Sequence, residues 1–180
     1  IMVKPAMTTP IEQIDIEQTL KAMAHDNRIS LSGKQPLLIG IHSGGVWIAK
    51  ALAEILDSDF FDATLGTLNI AYYRDDFTRI GMHPQVMPSD LPFAVDDRQL
   101  LLVDDVLHSG RTVRAALNEI FDYGRPAAVT LAVLIERDGR ELPIQADIVG
   151  QTIELNQNQQ IKLTNYSTLQ LELKDNGSAT

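Results

Sequence analysis

The chain has no cysteine. That excludes a disulfide framework and thiolate metal sites, and it fits a cytoplasmic protein. No apolar run approaches the roughly 18 residues a membrane-spanning helix requires. The N-terminus lacks the basic-then-apolar order of a secretion signal. Excess positive charge is also missing. The formal net charge is −9, a field that repels nucleic acid unless a local basic patch overrides it. Two phosphate-binding signatures are absent as well: neither G-x-x-x-x-G-K-[ST] nor G-x-G-x-x-G occurs, so neither a P-loop nor a dinucleotide fold is indicated.

What remains is an ordinary globular composition, 44% hydrophobic and 22% charged over 180 residues, enough for one domain with a proper core. Ile1 ahead of Met2 reads as an added residue. Residues 1–14 are expected to be an N-terminal extension and 15–180 a single domain. "DIEQTLKAMAHDNRISL" (15–31) places Ile16, Leu20, Met23, Ala24 and Leu31 near one helical face, and Asp15 with Gln18 resembles a capping box. "PLLIGI" (36–41) is a buried strand and "VWIAKALAEIL" (46–56) a helix. "LGTLNIAYY" (65–73) is a strand candidate. Residues 74–97 hold Gly81, Pro84, Pro88 and Pro92 with little periodicity, which predicts a long functional loop. "QLLLVDD" (99–105) is strand, "TVRAALNEIFDYG" (112–124) helix and "AAVTLAVLIE" (127–136) strand. The tail from Ala146 predicts short strands and turns. Strand–helix alternation of this kind argues for an α/β fold with a mostly parallel sheet flanked by helices, whose ligands bind at the carboxyl ends of the strands.

Two strand-to-helix loops fall on that rim. One is "HSGG" (His42, Ser43, Gly44, Gly45); the other is "DDVLHSGRT" (104–112). Backbone N–H groups at a helix N-terminus, turned inward by glycine, form a nest for phosphate. Ser109 and Thr112 add hydroxyls and Arg111 adds charge. Asp104 and Asp105 suit vicinal hydroxyls, or a Mg²⁺ that keeps most of its water. Acids for sugar and metal beside donors for phosphate describe a phosphorylated ribose. A receiver domain also carries "LLVDD", but near its N-terminus and with a phospho-acceptor Asp on a later strand, which "TLAVLIE" does not supply.

"LLLVDDVLHSGRT" resembles the phosphoribosyl-pyrophosphate (PRPP) motif of type I phosphoribosyltransferases. Together with "YYRDDF" (72–77), "GRPAAVTLAVLIERDGRELPIQAD" (124–147) and "IGIHSGGVWIAKALAE" (39–54), it resembles the PyrR family of pyrimidine operon regulators that are also uracil phosphoribosyltransferases. The likeness runs from about Asp15 to about Leu173. It implies the type I phosphoribosyltransferase fold with a flexible hood or flap, placed at about 74–97 with Tyr73, Arg74, Asp75 and Asp76 at its base. It also implies that Asp104 and Asp105 hold the ribose hydroxyls and Mg²⁺, with Asp105 as acid/base helper. Val106, Leu107, His108, Ser109, Gly110, Arg111 and Thr112 would take the 5-phosphate, and residues 42–45 the pyrophosphate. Uracil would lie near Val106, with Glu136 and Arg137 as weaker candidates. The implied small molecules are PRPP, uracil and UMP or UTP, and the implied assembly is a homodimer or higher homo-oligomer.

Two departures stand out. Family members carry a lysine and an arginine in the first loop, where this chain has His-Ser-Gly-Gly. RNA-binding members use a basic face, for which Lys21, His25, Arg28 and Arg140 remain. Gln145 and Gln151 stand where relatives are basic, and no Lys or Arg occurs between Arg140 and Lys162. The acidic charge and this thin patch argue against RNA. The alternative to an enzyme is a UMP- or UTP-sensing regulator of the pyrimidine operon with little turnover.

Overall fold

The computed structural model describes residues 9–70 and 88–176. Five strands form one parallel sheet in the order β2-β1-β3-β4-β5. They are β1 (Leu37–Ile41), β2 (Gly66–Leu68), β3 (Gln99–Leu107), β4 (Ala128–Arg137) and β5 (Ile148–Ile153). A separate antiparallel hairpin follows, β6 (Gln159–Thr164) and β7 (Gln170–Asp175). The helices are α1 (Ile16–Leu31), α2 (Gly44–Ile55) and α3 (Arg111–Tyr123).

Burial on both faces explains the continuous apolar strands. On one face, Leu20, Met23 and Ala24 of α1 and Ile48, Ala49 and Leu52 of α2 pack with Leu38, Leu101, Val103 and Leu134. On the other, Val113, Ala116 and Ile120 of α3 pack with Leu37, Ile39, Leu100, Leu102 and Val133. Alternate residues of each strand therefore serve opposite layers. The hairpin joins the first layer through Ile161 and Leu163. Asp15 caps α1 as expected, its carboxylate accepting the Gln18 N–H at 3.0 Å. Residues 9–14 lie against the sheet. The Thr9 N–H donates to the Thr152 carbonyl, and Ile11 and Ile14 pack on the first layer.

Several boundaries differ from expectation, for reasons of pairing. The strand expected over 65–73 is confined to Gly66–Leu68, because its partner β1 ends at Ile41; residues 71–73 lie outside the described residues. β3 does not stop at Asp105. It continues to Leu107 because β4 runs on beside it, pairing Val106 with Ile135 and Leu107 with Glu136. The loop expected over 104–112 thus contracts to residues 108–110. α2 starts at Gly44, two residues early. Of the flap expected over 74–97, residues 74–87 lie outside the described residues. The remainder is tied down: Asp90 bridges Thr67, and Val95 is buried in the second layer. The short strands expected in the tail are β5, which joins the sheet, and the hairpin. Among the described residues no helix is long and apolar enough to cross a membrane.

Candidate functional site

The carboxyl ends of β1 and β3 are adjacent in the sheet, so the loops that follow them meet. The contact is intimate. A Cβ at Gly44 would overlap the Asp105 carboxylate, and one at Gly45 would lie 2.5 Å from the Val103 carbonyl oxygen and 3.0 Å from the Asp104 Cα. Only glycine lets α2 start this close to the end of β3. The His42–Ser43 peptide is cis.

Asp104 and Asp105 sit inside β3 rather than beyond it. Asp104 is buried, and one of its oxygens accepts the Asp105 N–H at 2.9 Å. Asp105 Oδ1 accepts the Val106 N–H, also at 2.9 Å. Its Oδ2 is left against Gly44. Asp105, Ser43, Gly44, Trp47 and Val106 line a cleft of about 520 Å³ whose remaining wall is residues 160–163 of β6. A second cleft of about 510 Å³ shares Val106, Gln160 and Ile161 with it and adds His108, Arg137, Asp138 and Glu141. Glu136 and Arg140 line a third space of about 270 Å³ at the ends of β4 and β5.

The second loop leads from β3 into α3. Gly110 has φ +92°, a conformation open to glycine, and it precedes the first turn of α3. The first N–H groups of a helix have no helical acceptor, and those of α3 stand just beyond the carboxyl end of β3. The Ser109 hydroxyl accepts the Arg111 N–H at 3.2 Å. Two side chains of this stretch have partners within the protein. Leu107 is the last residue of β3 and packs in the second layer, so its side chain is not part of a phosphate cradle. The Arg111 guanidinium is engaged with Glu141 through Nε and Nη2, both at 2.8 Å.

Arg137 is buried, and its guanidinium donates to the Gln159 carbonyl at 2.9 Å. It thereby ties β4 to the first residue of the hairpin. At the far end of the hairpin Tyr166 meets Trp47, ring centroids 6.1 Å apart, with the Lys50 ammonium 5.2 Å from the Tyr166 ring centre. The roof over the clefts is therefore pinned at both ends. Sequence reading missed this roof. The alternation of Ile161 with Leu163 and of Leu169 with Leu171 was its signal, but alternation does not say which site a hairpin covers.

The flap candidates Tyr73, Arg74, Asp75 and Asp76 lie outside the described residues. The nucleic-acid candidates are split. Lys21, His25 and Arg28 are exposed on α1, where Lys21 pairs with Glu17 at 2.5 Å and Arg28 with Asp57 at 3.2 Å. Gln151 accepts from the Thr9 hydroxyl and donates to the Thr19 hydroxyl, so it knits the N-terminal segment to β5.

Burial holds both site imidazoles below the ordinary histidine range, with Lys50 adding to the effect on His42 and Arg137 to that on His108. For His108 the opposing pull of Asp138 and Glu141 is weaker. Folding thus disfavours their protonation. The stability this contributes is complete above the unfolded value of about 6.5 and is lost as pH falls below it. His42→Gln and His108→Gln are each expected to show a shallower fall in Tm between pH 7 and 5.5 than the parent. Parallel curves in thermal melts would contradict the assignment.

Among the described residues no group of three or more acids and histidines could hold a metal by itself. The donors present are two adjacent carboxylates beside an anion nest. Two carboxylates with no third protein ligand suit a Mg²⁺ that keeps most of its water.

The phosphoribosyl transferase domain family matches residues 10–167. The bifunctional protein PyrR of Nitrosococcus oceani is 66% identical over 140 residues, covering 78% of each chain. That of Pseudomonas aeruginosa is 51% identical over 166 residues, covering 91% of this chain and 96% of the relative. Among solved structures, a hypoxanthine-guanine phosphoribosyltransferase from Bacillus anthracis superposes with TM-score 0.62 at 19% identity, over 85% of this chain and 86% of that one.

Proposed function

The chain belongs to the PyrR family of the type I phosphoribosyltransferases, and from that premise we propose that it makes UMP and pyrophosphate from uracil and PRPP with Mg²⁺. The observation that carries the reading is the seating of Asp105 against Gly44, which joins a sugar-binding acid to an anion loop in one cleft. Asp104 and Asp105 take the ribose hydroxyls. The N–H groups of residues 108–112 and the hydroxyls of Ser109 and Thr112 take the 5-phosphate. Residues 42–45 take the pyrophosphate with their own N–H groups. Uracil lies against Val106 beneath β6, with Glu136 and Arg137 at its margin. Residues 73–76 begin the flap.

The reaction is a displacement at C1 of the ribose. The bond from C1 to the pyrophosphate oxygen breaks and takes its electron pair with it, and the new bond forms to N1 of uracil. Positive charge develops on the ribose in between, and the carboxylate of Asp105 stabilises it. Asp105 also receives the proton that uracil N1 gives up. Asp104 and Asp105 would hold a Mg²⁺, which would supply neutralisation of the leaving pyrophosphate. The pinned roof of β6 limits the water that would otherwise attack C1.

A regulatory reading has one observation in its favour: residues 42–45 bear no fixed positive charge, which suits a site that binds UMP and turns over little. RNA is the weaker partner, since Lys21 and Arg28 already face carboxylates. The test is incubation with PRPP, Mg²⁺ and a mixture of uracil, hypoxanthine, guanine and orotate. UMP as the dominant product is expected. A purine nucleotide as the dominant product would overturn the base assignment, and UMP binding without any product would favour the sensor.

A further inference from the structure

We propose that Glu141 is a positioning residue for the 5-phosphate: its N–H holds the Ser109 carbonyl and its carboxylate holds Arg111, so that the Gly110 N–H between them stays directed at the phosphate. This rests on the reading of residues 108–112 as the phosphate loop.

A loop that binds phosphate through backbone N–H groups needs a fixed direction for each donor, or binding must order it first. Residues 108–110 lie outside regular structure, since β3 ends at Leu107 and α3 begins at Arg111. The segment after β4 fixes them instead. The N–H groups of Glu141 and Leu142 both donate to the Ser109 carbonyl, each at 3.0 Å. On the other side of Gly110, Arg111 donates to the Glu141 carboxylate through Nε and Nη2, both at 2.8 Å. Gly110 is buried between these two grips. A Cβ there would lie 3.3 Å from the Ile144 Cβ and 3.4 Å from the Leu142 Cβ, so the same segment also packs on its Cα.

The direction of the donor follows from the peptide. The Ser109–Gly110 bond is trans, so its carbonyl and its N–H point opposite ways. With the carbonyl held on residues 141 and 142, the Gly110 N–H is turned away from them. Among the described residues it meets no acceptor, and a phosphate oxygen is the acceptor that the reading of the site supplies. The carboxylate's share of this brace has a ceiling. The Arg111 and Glu141 side chains are 56% and 55% exposed, so the pair biases the loop by no more than a surface ion pair contributes.

The test compares the parent with Glu141→Ala and Glu141→Gln. Both variants keep the N–H groups of residues 141 and 142, so the difference reads the carboxylate alone. Affinities for UMP and for PRPP with Mg²⁺ are measured by calorimetry, and kcat and KM for uracil by UMP formation at saturating PRPP. A Tm within about 3 °C of the parent establishes that the fold is intact. Glu141→Ala is expected to weaken UMP and PRPP about fivefold, the upper end for one exposed pair. KM for uracil and kcat are expected to stay within about twofold of the parent, because the loop serves the phosphate and not the base. Glu141→Gln, whose amide oxygen still accepts from Arg111, is expected to recover most of the loss.

The sign of the change separates this role from its opposite. If Glu141 merely competed with phosphate for Arg111, Glu141→Ala would free the guanidinium and tighten both ligands. Tighter or unchanged binding in Glu141→Ala would overturn the proposal, and so would an equal rise in KM for uracil. A parent that binds UMP and PRPP yet forms no nucleotide would overturn the transferase reading alone, since calorimetry still measures the loop. A parent that binds neither would overturn both.

Discussion

Asp105→Asn is expected to lower kcat for UMP formation by about 10²–10³ while leaving the fold in place. The amide oxygen of Asn can still accept the Val106 N–H that Asp105 Oδ1 accepts at 2.9 Å, so the local backbone of β3 is kept. What disappears is the negative charge at the oxygen lying against Gly44, and with it both the proton acceptor and the stabilisation of a cationic ribose. The larger effect should be in kcat, because charge on the ribose develops only in the transition state, with a smaller rise in KM for PRPP from the weakened hold on the ribose and Mg²⁺. Steady-state turnover within threefold of the parent would remove Asp105 from the mechanism.

Gly45→Ala should produce the largest loss of stability among substitutions at the site. Gly45 is in the first turn of α2, and propensity alone would make alanine stabilising there by about 1 kcal/mol. Contact outweighs it. The new Cβ would sit 2.5 Å from the Val103 carbonyl oxygen and 3.0 Å from the Asp104 Cα, both backbone atoms of the central strand. Neither can swing aside as a side chain does, so α2 must lift from β3. Forced overpacking of this kind costs about 3 kcal/mol, a drop in Tm of roughly 6–12 °C for a chain of this size. Gly44→Ala makes a different clash. Its Cβ meets the Asp105 carboxylate, which can rotate away, so activity should fall with less loss of Tm. Thermal melts and kcat of the two variants separate these cases. Gly45→Ala melting with the parent would show that the two loops are not in contact.

Much of the layered architecture was legible because periodicity reports burial. The apolar runs in 36–41 and 100–103 suit strands covered on both faces, and the face of α1 followed from the spacing of Leu20, Met23 and Ala24. Chain ends of elements were less legible, because strand length depends on the partner. Nothing local in Asp105-Val106-Leu107 says that β4 will extend alongside, yet that pairing shortens the loop to residues 108–110. The residue types at the two strand-to-helix junctions are read from the sequence in the same way. Glycines and hydroxyls at such a junction leave N–H and O–H donors that suit an anion. Their partners were not readable. The engagement of Arg111 by Glu141, thirty residues away, and of Arg137 by Gln159 are products of tertiary packing. The roof was missed for the same reason: Trp47 and Gln160 to Leu163 reach the Asp105 cleft only after the hairpin has folded over α2.

The measurement that tests the central claim most directly is a crystal structure of the chain with UMP. The account predicts the phosphate on the N–H groups of residues 108–112, the ribose hydroxyls on Asp104 and Asp105, and the uracil ring against Val106 beneath β6. UMP bound away from these residues, or its phosphate seated on the 42–45 loop with the ribose clear of Asp105, would contradict it.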